Sequence, residues 1–340
     1  MTSAHRDRNP YVFVVGCPRS GTTLLQRMLD AHPQLAVAND THFIAHAIEA
    51  VAPRWRETPS LLASESARLI SWSRSYHRFG RLGLPDDTVE RAAAVAPDFP
   101  AFVRLLYDEL ASKNGKPYAG DKTPSYVRRL PLLHALFPRA RFVHLLRDGR
   151  DVALSLLDWA TETKGPGRIP LWSDDPIAVC ALWWRQRIEV GRADGAKLGP
   201  GCYLEVRYED LVGDPGGELR RGAQFLELPF DHQMVAFNHG KVRERPGRSA
   251  KKAWLGPTPG LRDWREQMEA ADVELFELLA GETLKAAGYR TGEADDRSAQ
   301  ARERARRARA EWESYWVDRA ARRTLVATTA SFAEEVPRSG

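Results

Sequence analysis

The loop at residues 16–23, GCPRSGTT, combines residue types that bind a small anion. Gly16 and Gly21 let the backbone turn and approach a ligand closely. Arg19 carries a planar guanidinium that can hold a phosphate or sulfate through two hydrogen bonds. Backbone N–H groups and hydroxyls for the same anion would come from the rest of the loop, namely Ser20, Gly21, Thr22 and Thr23.

The residues on either side of the loop predict a strand before it and a helix after it. Residues 11–15 form a short apolar run that is rich in β-formers. Leu24, Leu25, Met28 and Leu29 then recur at the spacing of one helix face. A loop between a buried strand and a helix N-terminus is suited to anion binding, because the N–H groups of the first helical turn point toward the ligand.

The loop differs at one position from that of nucleoside-triphosphate-binding proteins. Their loop reads GxxxxGK[ST], with the lysine on the β and γ phosphates and the hydroxyl on magnesium. Here Thr22 occupies the place of that lysine, and the cation has moved inward to Arg19. We therefore expect the anion to be bound without a metal ion. A metal-dependent kinase with this kind of loop is kept as an alternative.

A second strand, turn and helix with a cation follows later in the chain. Residues 141–146 read as a buried strand, residues 147–150 (RDGR) as the turn, and Val152, Leu156 and Leu157 as the start of a helix face. On its own such a turn could be held by internal salt bridges. Two anion-binding turns in one α/β domain indicate a ligand with an anion at each end.

Two acid–base candidates follow a predicted second strand at residues 35–38. They are Asp40 and His42, and both are able to act as a general base. The carboxyl ends of the strands face the ligand in a parallel α/β sheet, so both side chains are expected near the loop. A more common use of Asp40 or Thr41 at this place would be to cap the next helix.

Together these segments resemble sulfotransferases that use 3′-phosphoadenosine-5′-phosphosulfate (PAPS). PRSGTTLL after an apolar strand is similar to their 5′-phosphosulfate loop. The Arg19 form of the loop, continued as LDAHP and an acidic residue at Asp40, is most similar to tyrosylprotein sulfotransferases and their bacterial relatives. The resemblance covers about residues 11–289. It implies transfer of a sulfuryl group from PAPS to an acceptor hydroxyl, with release of adenosine 3′,5′-bisphosphate (PAP).

The resemblance also implies roles for single catalytic residues. Asp40 stands at the position of the family's catalytic glutamate and is one methylene shorter, which leaves His42 as a competing base. Lys122, in YAGDKTPSY, stands at the position of the lysine that contacts the sulfuryl group. Lys122 and Arg19 would stabilise charge on the sulfuryl oxygens and the leaving phosphate.

Other residues are implied to bind the nucleotide part of the donor. Arg147 and Ser155 stand where the family binds the 3′-phosphate. Tyr208, in a YEDL pattern, would approach the adenine. Ser249 and Lys251 lie in a basic segment that matches a 3′-phosphate-binding loop of the family.

Length and composition agree with a folded α/β protein. The chain has 340 residues, of which 43% are hydrophobic. We expect a three-layer fold like that of P-loop NTPases, with a short central parallel sheet. Its predicted parts are an N-terminal tail at 1–10, a sulfotransferase domain at 11–290 with a helical insertion at 43–115, and a charged helical extension at 291–340.

Charge and hydropathy restrict the partners. The net charge of +5 is spread among many acidic residues, which suits a small polyanionic ligand and not a nucleic acid. No apolar run approaches the length of a membrane span, and residues 1–9 are polar, so we expect no membrane partner and a cytoplasmic location. Cys17, Cys180 and Cys202 are too widely spaced for a disulfide framework or a zinc cluster.

The acceptor is left open by the sequence. A tyrosine in a peptide, a phenol, a sugar and a secondary metabolite all carry a suitable hydroxyl. A homo-oligomer is compatible with the charged extension. A non-catalytic nucleotide-binding protein with the same fold is the second alternative to a sulfotransferase.

Overall fold

The computed structural model describes residues 8–160, 164–238, 262–292 and 298–334. Within these ranges one parallel sheet has the strand order β2-β3-β1-β4-β5. Its strands are β1 Val12–Gly16, β2 Leu35–Asn39, β3 Tyr118–Lys122, β4 Arg141–Leu146 and β5 Tyr203–Arg207.

Helices connect and follow these strands. They are α1 Thr22–Asp30, α2 Phe43–Val51, α3 Leu61–Ser64, α4 Ser66–Ser75, α5 Asp86–Val95, α6 Phe99–Lys113, α7 Leu130–Leu136, α8 Gly149–Leu157, α9 Pro176–Leu198, α10 Tyr208–Gly213, α11 Pro215–Phe225, α12 Trp264–Gln267, α13 Ala270–Ala286 and α14 Ala299–Glu334. Short 3₁₀ helices lie at Phe79–Leu82, Pro124–Arg128, Gly165–Arg168, Pro170–Ser173 and His232–Met234. None of the described helices combines the length and the apolar character needed to cross a membrane. The expected α/β fold with its helical insertion and C-terminal helical extension is confirmed.

The chain divides into two compact units. The first comprises Met1–Arg147 and Arg187–Leu261 and contains the whole sheet. The second comprises Asp148–Gln186 and Arg262–Gly340 and is helical in its described part.

The sheet of the first unit is buried on both faces. Successive side chains of a strand point to opposite faces, and β1 shows this alternation. Phe13 and Val15 join a core with side chains of α2, α4 and α6, whereas Val12 and Val14 join a core with side chains of α1 and α11. Burial on both faces explains why β1 is an unbroken apolar run.

The strand order places the ends of four strands at one edge of the sheet. β1 lies between β3 and β4, with Gly16 beside Leu145, and β2 pairs with β3 so that Asn39 lies beside Lys122. β2 and β3 lie on one side of β1, whereas β4 and β5 lie on its other side. In open α/β sheets, ligands bind where the strand order changes direction in this way, outside the carboxyl ends of the strands. The loops after β1, β2, β3 and β4 therefore share this edge.

A buried arginine organises the second unit. Arg150 forms ion pairs with Asp148 at 2.7 Å and Glu277 at 2.6 Å, and its guanidinium lies 3.6 Å from the ring centroid of Trp264. Its side chain is 1% exposed. Residues 147–150 (RDGR) were predicted as a turn, but α8 already begins at Gly149. The Arg150 side chain is buried inside this unit.

The C-terminal helix α14 packs on α13 mainly through small side chains. Among the side chains of this helix up to residue 319, the buried apolar ones are Ala301, Ala305, Ala308 and Trp312. Arg304 adds ion pairs with Asp175 at 3.1 Å and Asp272 at 3.4 Å. Three of the four buried apolar residues are alanines, and small side chains allow two helices to approach closely.

Candidate active site

The loop after β1 has a strained backbone and a buried hydroxyl. Arg19 and Gly21 have positive φ angles of 79° and 94°, and Gly21 occupies the cap position of α1. The Arg19 conformation is uncommon for a residue with a side chain and is typical of functional loops. The Oγ of Ser20 is buried and has no hydrogen-bond partner within the described part of the chain. A buried polar atom of this kind fits a site that receives an anion.

The two glycines of the loop are required by close contacts. A Cβ on Gly16 would lie 2.6 Å from the carbonyl oxygen of Leu145, at the end of β4. A Cβ on Gly21 would lie 2.6 Å from Cε2 of Tyr208. The loop after β1 therefore lies against β4 and against the first residue of α10.

Arg147 reaches the same tyrosine from the end of β4. Its guanidinium carbon lies 4.3 Å from the ring centroid of Tyr208, and Arg147 is 6% exposed. Gly21 and Arg147, one from each predicted anion-binding turn, thus both contact Tyr208. Ser155 lies on α8 in the second unit, and Ser249 and Lys251 lie outside the described residues.

Asp40 and His42 lie in a turn with unusual backbone geometry. Both have positive φ angles, 58° and 61°. The amide of Asp40 donates a 2.7 Å hydrogen bond to the carbonyl of Lys122, so the turn continues the β2–β3 pairing. The sequence allowed Asp40 or Thr41 as the cap of α2. This is wrong, because His42 holds the cap position and makes no capping hydrogen bond with its side chain.

Lys122 connects the turn after β2 with the loop after β1. Its Nζ lies 3.0 Å from Oδ1 of Asp40 and 3.2 Å from Oγ1 of Thr23. The side chain is only 1% exposed, so Lys122 is no surface lysine. Burial lowers the pKa of Lys122, and the Asp40 carboxylate opposes this effect.

Cations keep Asp40 ionised. Burial raises the pKa of Asp40, but the Lys122 ammonium and its hydrogen bond, together with the Arg81 guanidinium, outweigh burial and hold the pKa below its usual value. Arg81 contributes from the 3₁₀ helix Phe79–Leu82, with Nη1 3.5 Å from Oδ2 and 3.3 Å from the carbonyl oxygen of Asp40. The carboxylate is thus ready to accept a proton at neutral pH.

His42 is held between Asp40 and Ser125. Its Nε2 lies 3.9 Å from Oδ1 of Asp40, and its Nδ1 lies 3.2 Å from Oγ of Ser125. Burial lowers the pKa of His42 to about 3, so the imidazole is neutral at neutral pH.

Two residues around the site could not be found from the sequence. Arg81 and Ser125 belong to no motif, and only folding brings them to Asp40 and His42. Cys17, in the loop after β1, is fully buried and burial raises its pKa to about 12, so the thiol stays protonated. At this edge the structure combines an anion-binding loop, a buried cation and an ionised carboxylate, which suits transfer of an anionic group to a hydroxyl.

Sequence comparison places the chain among known transferases. The profile of the sulfotransferase family matches residues 10–232. Protein-tyrosine sulfotransferase 1 of Danio rerio is 30% identical over 231 residues, which cover 66% of this chain and 55% of that protein. Protein-tyrosine sulfotransferase A of Caenorhabditis elegans is 24% identical over 227 residues, which cover 67% of this chain and 52% of that protein. The match thus spans about half the length of these curated relatives.

Structural comparison agrees on the fold. The sulfotransferase domain of the Synechococcus PCC 7002 olefin synthase superposes with a TM-score of 0.57 at 23% sequence identity. The superposition covers 83% of this chain and 95% of that domain. The resemblance inferred from the sequence motifs is confirmed by these comparisons.

Proposed function

Because the chain belongs to the sulfotransferase family, we propose that it transfers a sulfuryl group from PAPS to the hydroxyl of an acceptor. The observation that carries this proposal is the position of Lys122. Its ammonium contacts both the Asp40 carboxylate at 3.0 Å and the Thr23 hydroxyl at 3.2 Å. A cation between a proton acceptor and an anion-binding loop suits a reaction in which a hydroxyl loses a proton while an anionic group leaves.

The residues at the sheet edge fit an anionic adenylate. The 5′ end would bind the loop after β1, where Ser20 offers a buried hydroxyl and Arg19 a guanidinium. The 3′-phosphate would bind Arg147, and the roles of Ser155, Ser249 and Lys251 toward it stay predictions from the sequence. Tyr208 would approach the adenine, and it already contacts both Gly21 and Arg147.

The proposed reaction is an in-line displacement at sulfur. The acceptor oxygen forms a bond to sulfur while the bond from sulfur to the 5′-phosphate oxygen breaks, and PAP leaves with the bonding electron pair. Asp40 takes the acceptor proton. Lys122 and Arg19 stabilise the negative charge that grows on the leaving phosphate.

The geometry favours Asp40 over His42 as the base. Nε2 of His42 faces an ionised carboxylate, which favours the tautomer with its proton on Nε2. In that tautomer Nδ1 accepts a hydrogen bond from Ser125 and Nε2 carries a proton, so neither ring nitrogen is free to take the acceptor proton. Asp40 has two carboxylate oxygens and is the more available proton acceptor.

The acceptor is proposed only as a class. The curated relatives are named for protein tyrosine, and we propose the hydroxyl of a tyrosine, a phenol, a sugar or a secondary metabolite for this chain. The proposal is tested by incubating the protein with ³⁵S-labelled PAPS and a panel of tyrosine peptides, phenols and sugars. We expect a labelled ester and an equal amount of PAP with at least one acceptor.

Two variants separate an enzyme from a nucleotide-binding protein. Asp40→Ala and Lys122→Ala should still bind PAP in a calorimetric titration but should not transfer label. Unchanged turnover in both variants would contradict the assigned roles. A wild-type protein that binds PAP yet labels no acceptor class would support the non-catalytic alternative.

A further inference from the structure

A buried carboxylate lies directly beside the proposed catalytic lysine. Asp121 accepts hydrogen bonds from Thr41 at 2.5 Å and Tyr107 at 2.7 Å, both on Oδ2, and from Thr123 at 2.6 Å on Oδ1. Asp121, Thr41, Tyr107 and Thr123 are each 0% exposed. The four side chains form one polar cluster, and we call it the Asp121 cluster.

Burying the Asp121 carboxylate lowers the stability of the folded protein. All three of these hydrogen-bond donors are neutral hydroxyls, so they compensate a buried charge less well than a cation would. Burial raises the pKa of Asp121, and the hydrogen bonds from Thr123, Thr41 and Tyr107 oppose this rise. A buried carboxylate that lowers stability in this way indicates a role other than packing.

The cluster is attached to the turn that carries the proposed base. Thr41 stands between Asp40 and His42, whose φ angles are 58° and 61°. The amide of His42 donates to Oγ1 of Thr123 at 3.4 Å, and Thr123 in turn donates to Asp121. Two hydroxyls, one from each strand end, therefore connect this strained turn to a single carboxylate.

We propose that Asp121 is a positioning residue that fixes the turn bearing Asp40, an inference that rests on the function proposed above. The turn is left-handed at two residues with side chains, and such a backbone persists only where its surroundings determine it. Asp121 provides this constraint through Thr41 and Thr123. Tyr107 lies on α6 of the helical insertion and not on the turn, and it donates to the same carboxylate oxygen as Thr41.

Two nearly isosteric variants test the proposal against a purely structural role. Thr41→Val and Tyr107→Phe each remove one hydroxyl from the same oxygen of Asp121. Both should lower Tm by a similar amount, because each removes one buried hydrogen bond. Only Thr41→Val should lower kcat, by about 10-fold or more, since small displacements of a catalytic group are costly for the rate. The dissociation constant for PAP should change in neither variant, and Thr41→Ser should restore kcat.

Equal kcat losses in the two variants, or no loss in either, would overturn the proposal. Hydrogen exchange at the amides of Asp40 and His42 supplies a readout that does not depend on turnover. We expect faster exchange at both amides in Thr41→Val and unchanged exchange in Tyr107→Phe. If wild-type protein transfers no sulfuryl group, the proposed function fails, and the exchange data alone then decide whether Asp121 positions the turn.

Discussion

The Nζ atom of Lys122 lies 3.0 Å from Oδ1 of Asp40, although the two residues are 82 positions apart in the sequence. β2 and β3 are neighbouring parallel strands, and Asn39 pairs with Lys122, so the residue after β2 meets the last residue of β3. This ion pair acts in opposite directions on the pKa values of its two members. The carboxylate opposes the lowering of the Lys122 pKa by burial, and the ammonium holds the Asp40 pKa below its usual value.

Replacing Lys122 should abolish most activity without unfolding the site. Lys122→Met keeps the length of the aliphatic chain but removes the ammonium beside Asp40 and Thr23. We expect kcat to fall by about 10²- to 10³-fold, the usual effect of removing one transition-state donor. Lys285→Met, at an exposed lysine paired with Glu282, should leave kcat unchanged. Steady-state kinetics with saturating PAPS distinguishes the two, and equal rates would refute the role of Lys122.

Replacing Arg81 should move the acid limb of the pH–rate profile. Asp40 must be ionised to accept a proton, so activity falls as pH drops through its lowered pKa. The cations Lys122 and Arg81 both lower this pKa, and Arg81→Gln removes one of them. The acid limb of kcat should therefore shift to higher pH. Arg91→Gln, which breaks an exposed pair with Asp87, serves as the control and should leave the limb in place.

Gly21 should tolerate no side chain. Its φ of 94° and the nearby Tyr208 ring both disfavour a Cβ. Gly21→Ala should therefore weaken PAP binding in a calorimetric titration, by about 10-fold if the loop shifts at a cost of about 1.4 kcal/mol. Gly213→Ala adds a methyl where nothing lies within 4 Å and should bind PAP like wild type. Normal binding by Gly21→Ala would show that the loop does not hold the nucleotide.

His144 should make the stability of the protein depend on pH. It is fully buried, and burial lowers its pKa from 6.5 to about 3. The unfolded chain therefore binds a proton at His144 between these values while the folded chain does not, so stability falls as pH drops below 6.5. His144→Asn should reduce the slope of unfolding free energy between pH 7 and pH 5, measured by urea titration. His42 acts in the same direction and should leave a residual slope.

The proposed transfer should not depend on a divalent metal. Arg19, Lys122 and Arg147 would meet the charge of the donor, and Thr22 replaces the lysine of a magnesium-nucleotide loop. Excess EDTA should therefore leave the rate of transfer from PAPS unchanged. Binding of magnesium-ATP in preference to PAP, or loss of activity in EDTA that magnesium restores, would favour the kinase alternative.

Local sequence pattern was sufficient to predict β1, the loop after it and α1. The run before Gly16, the glycine spacing and the helical repeat from Leu24 predicted β1, the loop and α1, because each depends on interactions between near neighbours. The helix cap at Asp40 or Thr41 was wrong, since His42 holds the cap position of α2 and both Asp40 and His42 have left-handed φ angles. The cytoplasmic location and the oligomeric state stay predictions.

The order of the amino acids specifies which chemical groups are present and that they follow strands or open helices. Which of these groups act together depends on the folded chain. Strand order brought Lys122 to Asp40, the helical insertion brought Arg81 and Tyr107 to the same edge, and the buried carboxylate of Asp121 joined Thr41 to Thr123. These contacts join residues far apart in the chain, and their energies depend on burial, which no short stretch of sequence specifies.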